Sequence, residues 1–434
     1  MKKYDLVVIG AGPSGYAAAM RAVDFKKKVL LIEKSKVGGA GVTNGALSSK
    51  TWWEISREVS SVNKNLKRFN LKAPDINFQE VKTDVANAVA ERKAMLKDHM
   101  SLLEESSFVD LLEYKKGTAK LLNQHEIAIT SSDGEQEVVH AEYIILATGS
   151  RPRKLPHIPI DEKIILTSDG IESLEEFPKS MVILGAGVIG CEFATIFSGF
   201  GKTKVHLIDK GDRILPFEDE DVVDVIEKNM EERGVFIHRN SKLVRMDIVD
   251  GKVEYELEYN DGRKSIFHVE KALVSVGRVP NYENLWDEGA VDIALTNRGI
   301  DDKDTQTSIS NIYAVGDITA DIALVNVGEL EGRYAVEKIF GKPKRKLIYE
   351  NISTIMFLNP EVAGVGLNET QARNKGISYK VVTLDYSCIP RAIAKRNTQG
   401  FIKLLVTDDE DMKILGMRVV GNHASSAIQA VALL

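Results

Sequence analysis

The alternation of apolar and polar residues predicts a strand, a helix and a second strand at the start of the chain. Residues 5–9 form a short apolar run, residues 16–23 carry apolar side chains at helical spacing, and residues 28–33 form a second apolar run. The turn Gly-Ala-Gly-Pro-Ser-Gly at residues 10–15 joins the first strand to the helix. Such a turn lets a pyrophosphate approach the helix N-terminus, and Glu33, at the end of the second strand, is placed to hydrogen-bond a ribose hydroxyl. The pattern therefore predicts a dinucleotide-binding unit.

The same pattern returns near the middle of the chain and predicts a second dinucleotide-binding unit. Here the first strand covers residues 181–184, the glycine turn residues 185–190, the helix residues 191–200 and the next strand residues 204–209. Two such units in one chain are expected of an enzyme that binds two dinucleotides.

The acid that ends the second unit bears on the choice of nucleotide. Asp209 is placed to bind a ribose hydroxyl, and its charge would repel a 2′-phosphate, so the sequence favours NADH over NADPH. Lys210 and Arg213 follow closely and weaken this preference. NADPH therefore stays the less favoured alternative.

The remaining segments alternate between helical and strand patterns. Two long stretches with charged faces predict helices at residues 49–66 and 76–106. Strands are predicted at 110–114, 117–121 and 126–130, followed by a hairpin turn at 131–134 and a strand that reaches residue 145. A helix is predicted at 219–234 and strands within 235–259. The pattern changes near residue 346, after which we predict a strand at 349–357, a helix at 369–375 and further strands up to residue 420.

Composition and charge narrow the class of protein. The chain has 434 residues, of which 44% are hydrophobic and 28% charged, as is ordinary for soluble globular proteins. The net charge of −6 and the lack of a long basic run argue against nucleic acid or an anionic membrane as a partner. The only cysteines, Cys191 and Cys388, lie far apart and in no metal-binding spacing, so we predict a reducing, cytoplasmic location. We predict no metal site and no membrane-spanning segment.

The loop at residues 37–50 resembles the redox loop of the pyridine nucleotide–disulfide oxidoreductases, the family of lipoamide dehydrogenase and glutathione reductase. That family has a cysteine, four residues, a second cysteine, one residue and then Pro-Ser-Lys. When the loop is aligned on its two leading glycines and its final Ser-Lys, Gly41 and Ala46 occupy the cysteine positions and Ser48 replaces the proline. Since neither glycine nor alanine can form a thiolate or exchange a disulfide, the loop keeps its frame and lacks both redox sulfurs.

Three further segments carry the same resemblance. Ala-Thr-Gly at residues 147–149 resembles the family's second flavin motif, and residues 271–281 resemble the segment that returns to the flavin domain. Ile-Tyr-Ala-Val-Gly-Asp at residues 312–317 resembles the third flavin motif, whose aspartate, here Asp317, hydrogen-bonds the ribityl chain of the flavin. The resemblance therefore runs along the chain in the family's order.

The resemblance also implies a catalytic pair. In the family, the glutamate that follows the second glycine turn pairs with the lysine of the redox loop, near the flavin and the nicotinamide ring. The matching residues here are Glu192 and Lys50. The cofactor-binding residues implied by the turns and motifs are Gly10, Gly12, Pro13, Ser14, Gly15, Glu33, Lys34, Gly39, Lys50, Thr118, Ala119, Thr148, Gly149, Gly185, Gly187, Gly190, Asp209, Gly277, Arg278, Gly316 and Asp317.

The implied fold class is α/β, with two doubly wound Rossmann-like domains that bind FAD and NAD and a C-terminal α+β dimerisation domain. The resemblance places the FAD-binding domain at residues 1–150 and 280–345, the NAD(P)-binding domain at residues 151–279 and the dimerisation domain at residues 346–434. It also implies a homodimer. The chain stops at Leu434, ahead of the family's catalytic His-Pro-Thr segment, and His423 matches a variable position instead of that histidine.

These observations favour an FAD-dependent NAD(P)H oxidoreductase without a redox-active disulfide. Hydride transfer from NADH to FAD needs binding and orientation rather than cysteine. The second substrate would then be a non-disulfide electron acceptor, such as a quinone, a dye, another nicotinamide or oxygen, near Gly41 and Ala46, where the smaller residues should leave room.

Three alternatives stay open. One is a soluble NAD/NADP transhydrogenase, since one branch of the family works without an intact cysteine pair. The second is a dihydrolipoyl dehydrogenase that uses another thiol, for which Cys388 is the candidate. The third is a catalytically inactive flavoprotein with a binding or sensing role, against which the retention of Lys50 and Glu192 speaks.

Overall fold

The computed structural model describes residues 1–104, 110–319 and 321–434. The last two residues of the helix predicted at 76–106 lie outside the described residues. The chain divides into two compact units. Unit 1 consists of Met1–Ser49, Asp84–Pro152 and Arg278–Leu347, and unit 2 consists of Lys50–Thr83, Arg153–Gly277 and Ile348–Leu434. The predicted boundaries of the three domains stay a prediction.

The helices and strands follow one another in an order typical of mixed α/β proteins. The strands are β1 Lys2–Ile9, β2 Val29–Glu33, β3 Leu112–Leu121, β4 Glu126–Ser131, β5 Gln136–Leu146, β6 Ser150–Pro152, β7 Ile165–Leu166, β8 Ser180–Leu184, β9 Lys204–Ile208, β10 Phe236–His238, β11 Ser241–Val249, β12 Lys252–Tyr259, β13 Lys264–Val269, β14 Lys271–Val274, β15 Arg278–Pro280, β16 Ile312–Ala314, β17 Thr354–Met356, β18 Val362–Gly366, β19 Tyr379–Asp385, β20 Phe401–Thr407 and β21 Ile414–Val420. The α-helices are α1 Pro13–Asp24, α2 Gly39–Val42, α3 Ala46–Arg68, α4 Phe78–Glu104, α5 Val188–Phe200, α6 Glu220–Glu232, α7 Val325–Phe340, α8 Glu369–Asn374, α9 Pro390–Ala394, α10 Ala424–Ala427 and α11 Gln429–Ala432, and short 3₁₀ helices cover Ser168–Ser173 and Tyr386–Cys388.

Unit 1 is organised around a parallel sheet. β3, β2, β1, β5 and β16 lie side by side in that order, and β4 pairs antiparallel with both β3 and β5. β1 is buried on both faces from Leu6 to Ile9, as expected for a central strand of a parallel sheet. Helices α1 and α7 pack so closely that a Cβ at Gly332 of α7 would overlap the backbone of Ser14. The predicted strand–turn–helix–strand unit at the start of the chain is therefore present.

One strand of unit 1 differs from the prediction. The short strands predicted at 110–114 and 117–121 form the single strand β3, which changes partner along its length. Leu112 to Lys116 pair in parallel with β2, and Gly117 to Leu121 pair antiparallel with β4. The carbonyl of Thr130 lies 2.6 Å from where a Cβ of Gly117 would be, so the strand passes from one partner to the other at a residue without a side chain. The exchange of partners happens at Gly117, the residue at which the second of the two strands was predicted to begin.

Unit 2 contains a second parallel sheet in the order β10, β9, β8, β14 and β7. It also contains the antiparallel meander β11–β12–β13 and an antiparallel sheet in the order β17, β18, β21, β20 and β19. Helix α5 starts directly after the second glycine turn and is buried from Gly190 to Phe200. Among the described residues, no helix combines the length and the apolar character that a membrane span requires.

A buried lysine ties the C-terminal sheet of unit 2 to helices α6 and α8. The side chain of Lys403 on β20 is 1% exposed, and its ammonium donates to carboxylates of Asp219 at 2.8 Å, Asp221 at 2.7 Å and Glu369 at 3.0 Å. Burial alone would lower the pKa of Lys403, but these three acceptors outweigh it and raise the pKa. The three carboxylates could suit a metal ion, yet the lysine ammonium already lies among them.

We predict that Lys403→Met lowers the free energy of unfolding by about 3–5 kcal/mol, because three partly desolvated carboxylates lose their cation. Urea unfolding at neutral pH measures this loss. Lys380→Met is the matched control: its ion pair with Asp408 is well exposed and should change stability by less than about 1 kcal/mol. Because the folded pKa of Lys403 is raised, its contribution is complete below about pH 10.4 and declines as the pH rises through that pKa. Equal losses for the two variants would contradict this account.

Candidate functional site

The first glycine turn in unit 1 is built for a close approach of the backbone. Gly10 has φ +106°, and a Cβ there would overlap the carbonyl of Ala147 at the end of the neighbouring strand. A Cβ at Gly15 would overlap the carbonyl of Gly10, so α1 can start this close to the end of β1 only because residue 15 has no side chain. At Gly12, by contrast, no described heavy atom lies within 4 Å of the Cβ position. The backbone of the turn is therefore tightly packed at Gly10 and Gly15, and the space beside Gly12 is open. This arrangement fits a pyrophosphate at the N-terminus of α1.

Glu33 holds this turn in place. Its carboxylate, 8% exposed, accepts the backbone N–H of Ala11 at 2.8 Å and that of Ser35 at 2.7 Å. The next residue, Lys34, is exposed. The acid predicted to meet a ribose is thus fixed by two backbone donors at the edge of the turn.

The second turn, in unit 2, repeats the same construction. Gly185 has φ +102°, and the Cβ position of Gly190 overlaps the carbonyl of Gly185. The Cβ position of Gly187 has no neighbour within 4 Å among the described residues. Asp209 accepts the N–H of Ala186 and that of Gly211, both at 2.9 Å. The two acids and the two open glycines occupy equivalent positions, so the residues present in each unit fit a dinucleotide.

The later flavin motifs come together in unit 1. Asp317 accepts the hydroxyl of Ser150 at 2.7 Å, and Arg278 donates to the same hydroxyl oxygen at 2.8 Å while its Nε lies 3.9 Å from the Asp317 carboxylate. Thr148 donates to the carbonyl of Asn281 at 2.5 Å. Three segments far apart in sequence therefore meet at one place, and Ser150 and Asn281, which sequence reasoning missed, connect them.

A second missed residue supports the third motif. Glu331, 1% exposed on α7, accepts the N–H of Gly316 at 2.6 Å. Gly316 has φ +74°, and its Cβ position lies 2.7 Å from the hydroxyl of Ser14. The turn before Asp317 is thus held by α7 and abuts the start of α1. The pair Glu331-Gly332 was visible in the sequence, but nothing there showed that the acid points to this turn.

Two of the remaining predicted residues adjoin these sites: the Cβ position of Gly39 lies 3.0 Å from the Cα of Gly12, and the carbonyl of Gly149 accepts the N–H of Asn281 at 2.9 Å. Thr118 and Ala119 are on β3, where the Thr118 hydroxyl donates to the carbonyl of Thr130 at 3.4 Å. Gly39, Gly149 and Gly277 have φ of +50°, +66° and +102°. Their roles toward a cofactor stay predictions.

The loop at residues 37–50, which contains no cysteine, forms the four-residue helix α2 and the first turn of the 23-residue helix α3. Gly41 lies on α2 and Ala46 begins α3. A Cβ at Gly41 would overlap the ring of Pro13 and would lie 3.4 Å from Cγ2 of Val325. The expectation that the smaller residues leave room is therefore wrong for the Cβ position of Gly41, because Pro13 already fills that space.

This contact predicts an asymmetry between Gly41 and Ala46, the two positions that the resemblance aligns with cysteines. Gly41→Cys should lower the free energy of unfolding by about 1–3 kcal/mol, because the added Cβ must push α2 away from Pro13. Ala46→Cys adds one sulfur to a residue that already has a Cβ and serves as the matched control, with a smaller effect. Denaturant unfolding of the two single variants under reducing conditions measures the difference. Equal stability of both variants would show that α2 lies farther from Pro13 than described.

The predicted catalytic pair is brought together in unit 2. The ammonium of Lys50 on α3 lies 2.9 Å from the carboxylate of Glu192 on α5. The Glu192 side chain is 7% exposed and that of Lys50 is 30% exposed. The ion pair therefore joins α3 to α5 through a largely buried carboxylate and a partly exposed ammonium.

Comparison with known proteins identifies the family. Residues 4–332 match the model of the pyridine nucleotide-disulphide oxidoreductases, and residues 352–434 match the dimerisation domain of the same family. The chain belongs to this family. The predicted fold class, with two dinucleotide-binding domains and a C-terminal dimerisation domain, is confirmed.

Family members of known activity are similar over nearly the whole chain. Dihydrolipoyl dehydrogenase of Geobacillus stearothermophilus is 33% identical over 431 residues, which cover 99% of this chain and 89% of that protein. A dihydrolipoyl dehydrogenase of Bacillus subtilis is 32% identical over 444 residues, 99% of this chain and 91% of its own length. The relatives are FAD-dependent oxidoreductases, and the family binds FAD and NAD(H), so the predicted enzyme class and cofactors are confirmed at the level of the family.

Solved structures agree over the full chain. LpdA from Mycobacterium tuberculosis has a TM-score of 0.89 at 25% identity and covers 100% of this chain and 93% of its own. A copper(II) complex of the HOCl-induced flavoprotein disulfide reductase of Escherichia coli, in a cysteine-to-serine variant, has a TM-score of 0.87 at 26% identity, with 100% and 92% covered.

Neither cysteine of this family member lies in the redox loop. Cys191 is buried under the second glycine turn and donates to the carbonyl of Ala186 at 3.4 Å. Its burial, together with the nearby charges of Asp209 and Glu192, raises the pKa of the thiol well above the usual range. Cys388 is exposed on a 3₁₀ helix of unit 2. Both are free thiols, and a buried thiol that resists ionisation is a poor nucleophile.

Proposed function

We propose that this protein is an FAD-dependent NADH oxidoreductase that delivers electrons to a small non-disulfide acceptor. One observation carries the proposal: Lys50 and Glu192 form an ion pair, while the loop at residues 37–50, which resembles the family's redox loop, contains no cysteine. The retained pair supports catalysis, because the resemblance places it near the flavin and the nicotinamide ring. A protein that still reduced disulfides would need a thiolate in the loop.

The chain's own residues would act as follows. When bound, FAD supplies hydride acceptance from a nicotinamide and electron transfer to a second substrate. The glycine turns and the acids Glu33 and Asp209 would hold the two dinucleotides, and Ser150, Arg278 and Asp317 would orient the flavin side of the site. The fixed ammonium of Lys50 would favour negative charge that develops close to it during reduction.

The acceptor belongs to a class that takes electrons without a covalent sulfur intermediate. Quinones, dyes, a second nicotinamide and oxygen meet this requirement, whereas lipoamide and glutathione disulfide need thiolate attack. Steady-state oxidation of NADH, screened against a quinone, a redox dye, thio-NAD, lipoamide and glutathione disulfide, tests the proposal. We expect turnover with one or more of the first three and none with the last two. Turnover with thio-NAD alone would assign a transhydrogenase.

A test of nucleotide choice rests on Asp209. We predict that Asp209→Asn raises the affinity for NADPH relative to NADH about tenfold, because one repulsion between charge and phosphate is removed. The amide can still accept one of the two backbone N–H groups that now bind the carboxylate. Titration of both nucleotides measures the ratio. A wild type that already prefers NADPH would contradict the role given to this acid.

The assembly is proposed to be a homodimer. Residues 352–434 match the dimerisation domain of the family, which supports this proposal. Light scattering after size exclusion should give about twice the chain mass of 48.0 kDa. A monomeric mass would contradict it. The cytoplasmic location stays a prediction from cysteine content.

A further inference from the structure

The Lys50–Glu192 pair has a third participant in unit 2. Phe357 follows β17, and its ring centroid lies 4.8 Å from the ammonium of Lys50. Its backbone N–H donates at 3.0 Å to the second carboxylate oxygen of Glu192, the one that does not bind lysine. One residue therefore contacts both charges, the cation through its ring and the anion through its backbone.

Helix α3 anchors this aromatic ring. Trp53, 2% exposed, packs edge-on against Phe357 with ring centroids 5.1 Å apart and donates its indole N–H to the carbonyl of Leu358 at 3.1 Å. One turn further on, Arg57 lies 4.8 Å above the Trp53 ring and contacts Glu361 at 3.5 Å. The residues at 50, 53 and 57 share one face of α3, and all three contact the segment 357–361.

We propose that Phe357 is a positioning residue for the Lys50–Glu192 pair: its ring and its backbone N–H together hold the ammonium and the carboxylate in the one arrangement that serves flavin reduction. This inference rests on the proposed function, because it assigns how that same pair is kept in place. Glu192 has two oxygens and could rotate if only lysine bound it. With Phe357 on the other oxygen, its plane is fixed, and the ring face keeps the ammonium from swinging to solvent.

The variants follow from the two contacts. Phe357→Leu keeps the backbone donor and most of the volume but removes the ring face, and Phe357→Tyr restores that face. Phe177→Leu is the matched control, because Phe177 is also partly buried in unit 2 and packs edge-on against an aromatic ring, that of Phe78, among its neighbours. Neither ring contact described for Phe177 involves the charge pair.

Two measurements on the FAD-loaded enzyme test the inference. The first is trace acylation of lysines, quantified by mass spectrometry with exposed Lys380 as the internal standard. We expect Phe357→Leu to raise labelling of Lys50 roughly three- to tenfold, with wild-type values for Phe357→Tyr and Phe177→Leu. The second is stopped-flow reduction by NADH, in which Phe357→Leu should lower the limiting rate by a similar factor with the Kd for NADH unchanged. In a Lys50→Met background, Phe357→Leu should have no further effect.

The outcomes separate a positioning role from a merely structural one. Unchanged Lys50 labelling, an unchanged limiting rate, a rise in Kd alone, or the same slowing in the Lys50→Met background would each overturn the inference. A wild type whose flavin NADH cannot reduce would sink the proposed function instead. In that case the labelling of Lys50 alone tests whether Phe357 holds the pair. A rise confined to Phe357→Leu would still support that role.

Discussion

Lipoamide and glutathione disulfide should be reduced by this protein no faster than in its absence. The reason is chemical: a disulfide accepts two electrons through attack by a thiolate, and the loop at residues 37–50, which resembles the family's redox loop, contains no cysteine. Loss of a catalytic nucleophile can cost on the order of 10⁶ in rate, so the expected deficit is close to complete. Oxidation of NADH, followed at a fixed concentration of lipoamide, measures it.

The matched control is dihydrolipoyl dehydrogenase of Geobacillus stearothermophilus, assayed in the same buffer at the same flavin concentration. Brisk lipoamide reduction by this protein would mean that another thiol reaches the flavin. Cys388→Ser would then test the exposed candidate, since the Cys191 thiol is buried and hard to ionise.

Lys50→Met should slow reduction of the bound flavin by NADH about 10²–10³-fold. The change removes a fixed positive charge from a sheltered site, and losing one such electrostatic contact costs about this much in other enzymes. The same change leaves the Glu192 carboxylate, which is 7% exposed, with the backbone N–H of Phe357 as a donor and without the ammonium of Lys50. Anaerobic stopped-flow absorbance of the flavin measures the limiting rate.

Lys82→Met is the control for this prediction. Lys82 is also a helical lysine in unit 2, and its ammonium donates to the carbonyl of Leu174 at 2.8 Å, away from the charge pair. The limiting rate of Lys82→Met should match that of the wild type within about twofold, since a substitution away from the site changes free energies by about 0.5 kcal/mol or less. If the two lysine variants were slowed alike, the Lys50–Glu192 pair would have no special part in reduction.

Much of the fold was predictable because its signals are local. A glycine turn between an apolar strand and a helix specifies its own geometry, so both dinucleotide units appear where the pattern placed them. The ends shifted by a few residues, as with α1, which begins at Pro13 and not at residue 16. Proline is favoured at the first position of a helix, and this signal was available in the sequence.

What escaped prediction depends on contacts between distant segments. Nothing around Ser150 shows that its hydroxyl joins Asp317 and Arg278. Nothing at Lys403, within an apolar strand, shows that it is surrounded by three acids: Asp219, which directly precedes α6, Asp221 of α6 and Glu369 of α8. The overlap of Gly41 with Pro13 likewise follows from how α2 packs on the first turn, and a change from cysteine to glycine suggests space until that packing is seen.

The most direct test of the central claim is an anaerobic titration of the FAD-loaded enzyme, with NADH in one cell and dithionite in another. With no thiolate beside the flavin, two electrons per flavin should bleach its absorbance fully. A long-wavelength absorbance band seen with NADH should be absent with dithionite, because in this enzyme only bound nicotinamide can produce such a band. A band that persists under dithionite, or a flavin that stays oxidised after two electrons, would show that a thiol partner shares the electrons and would contradict a disulfide-free enzyme.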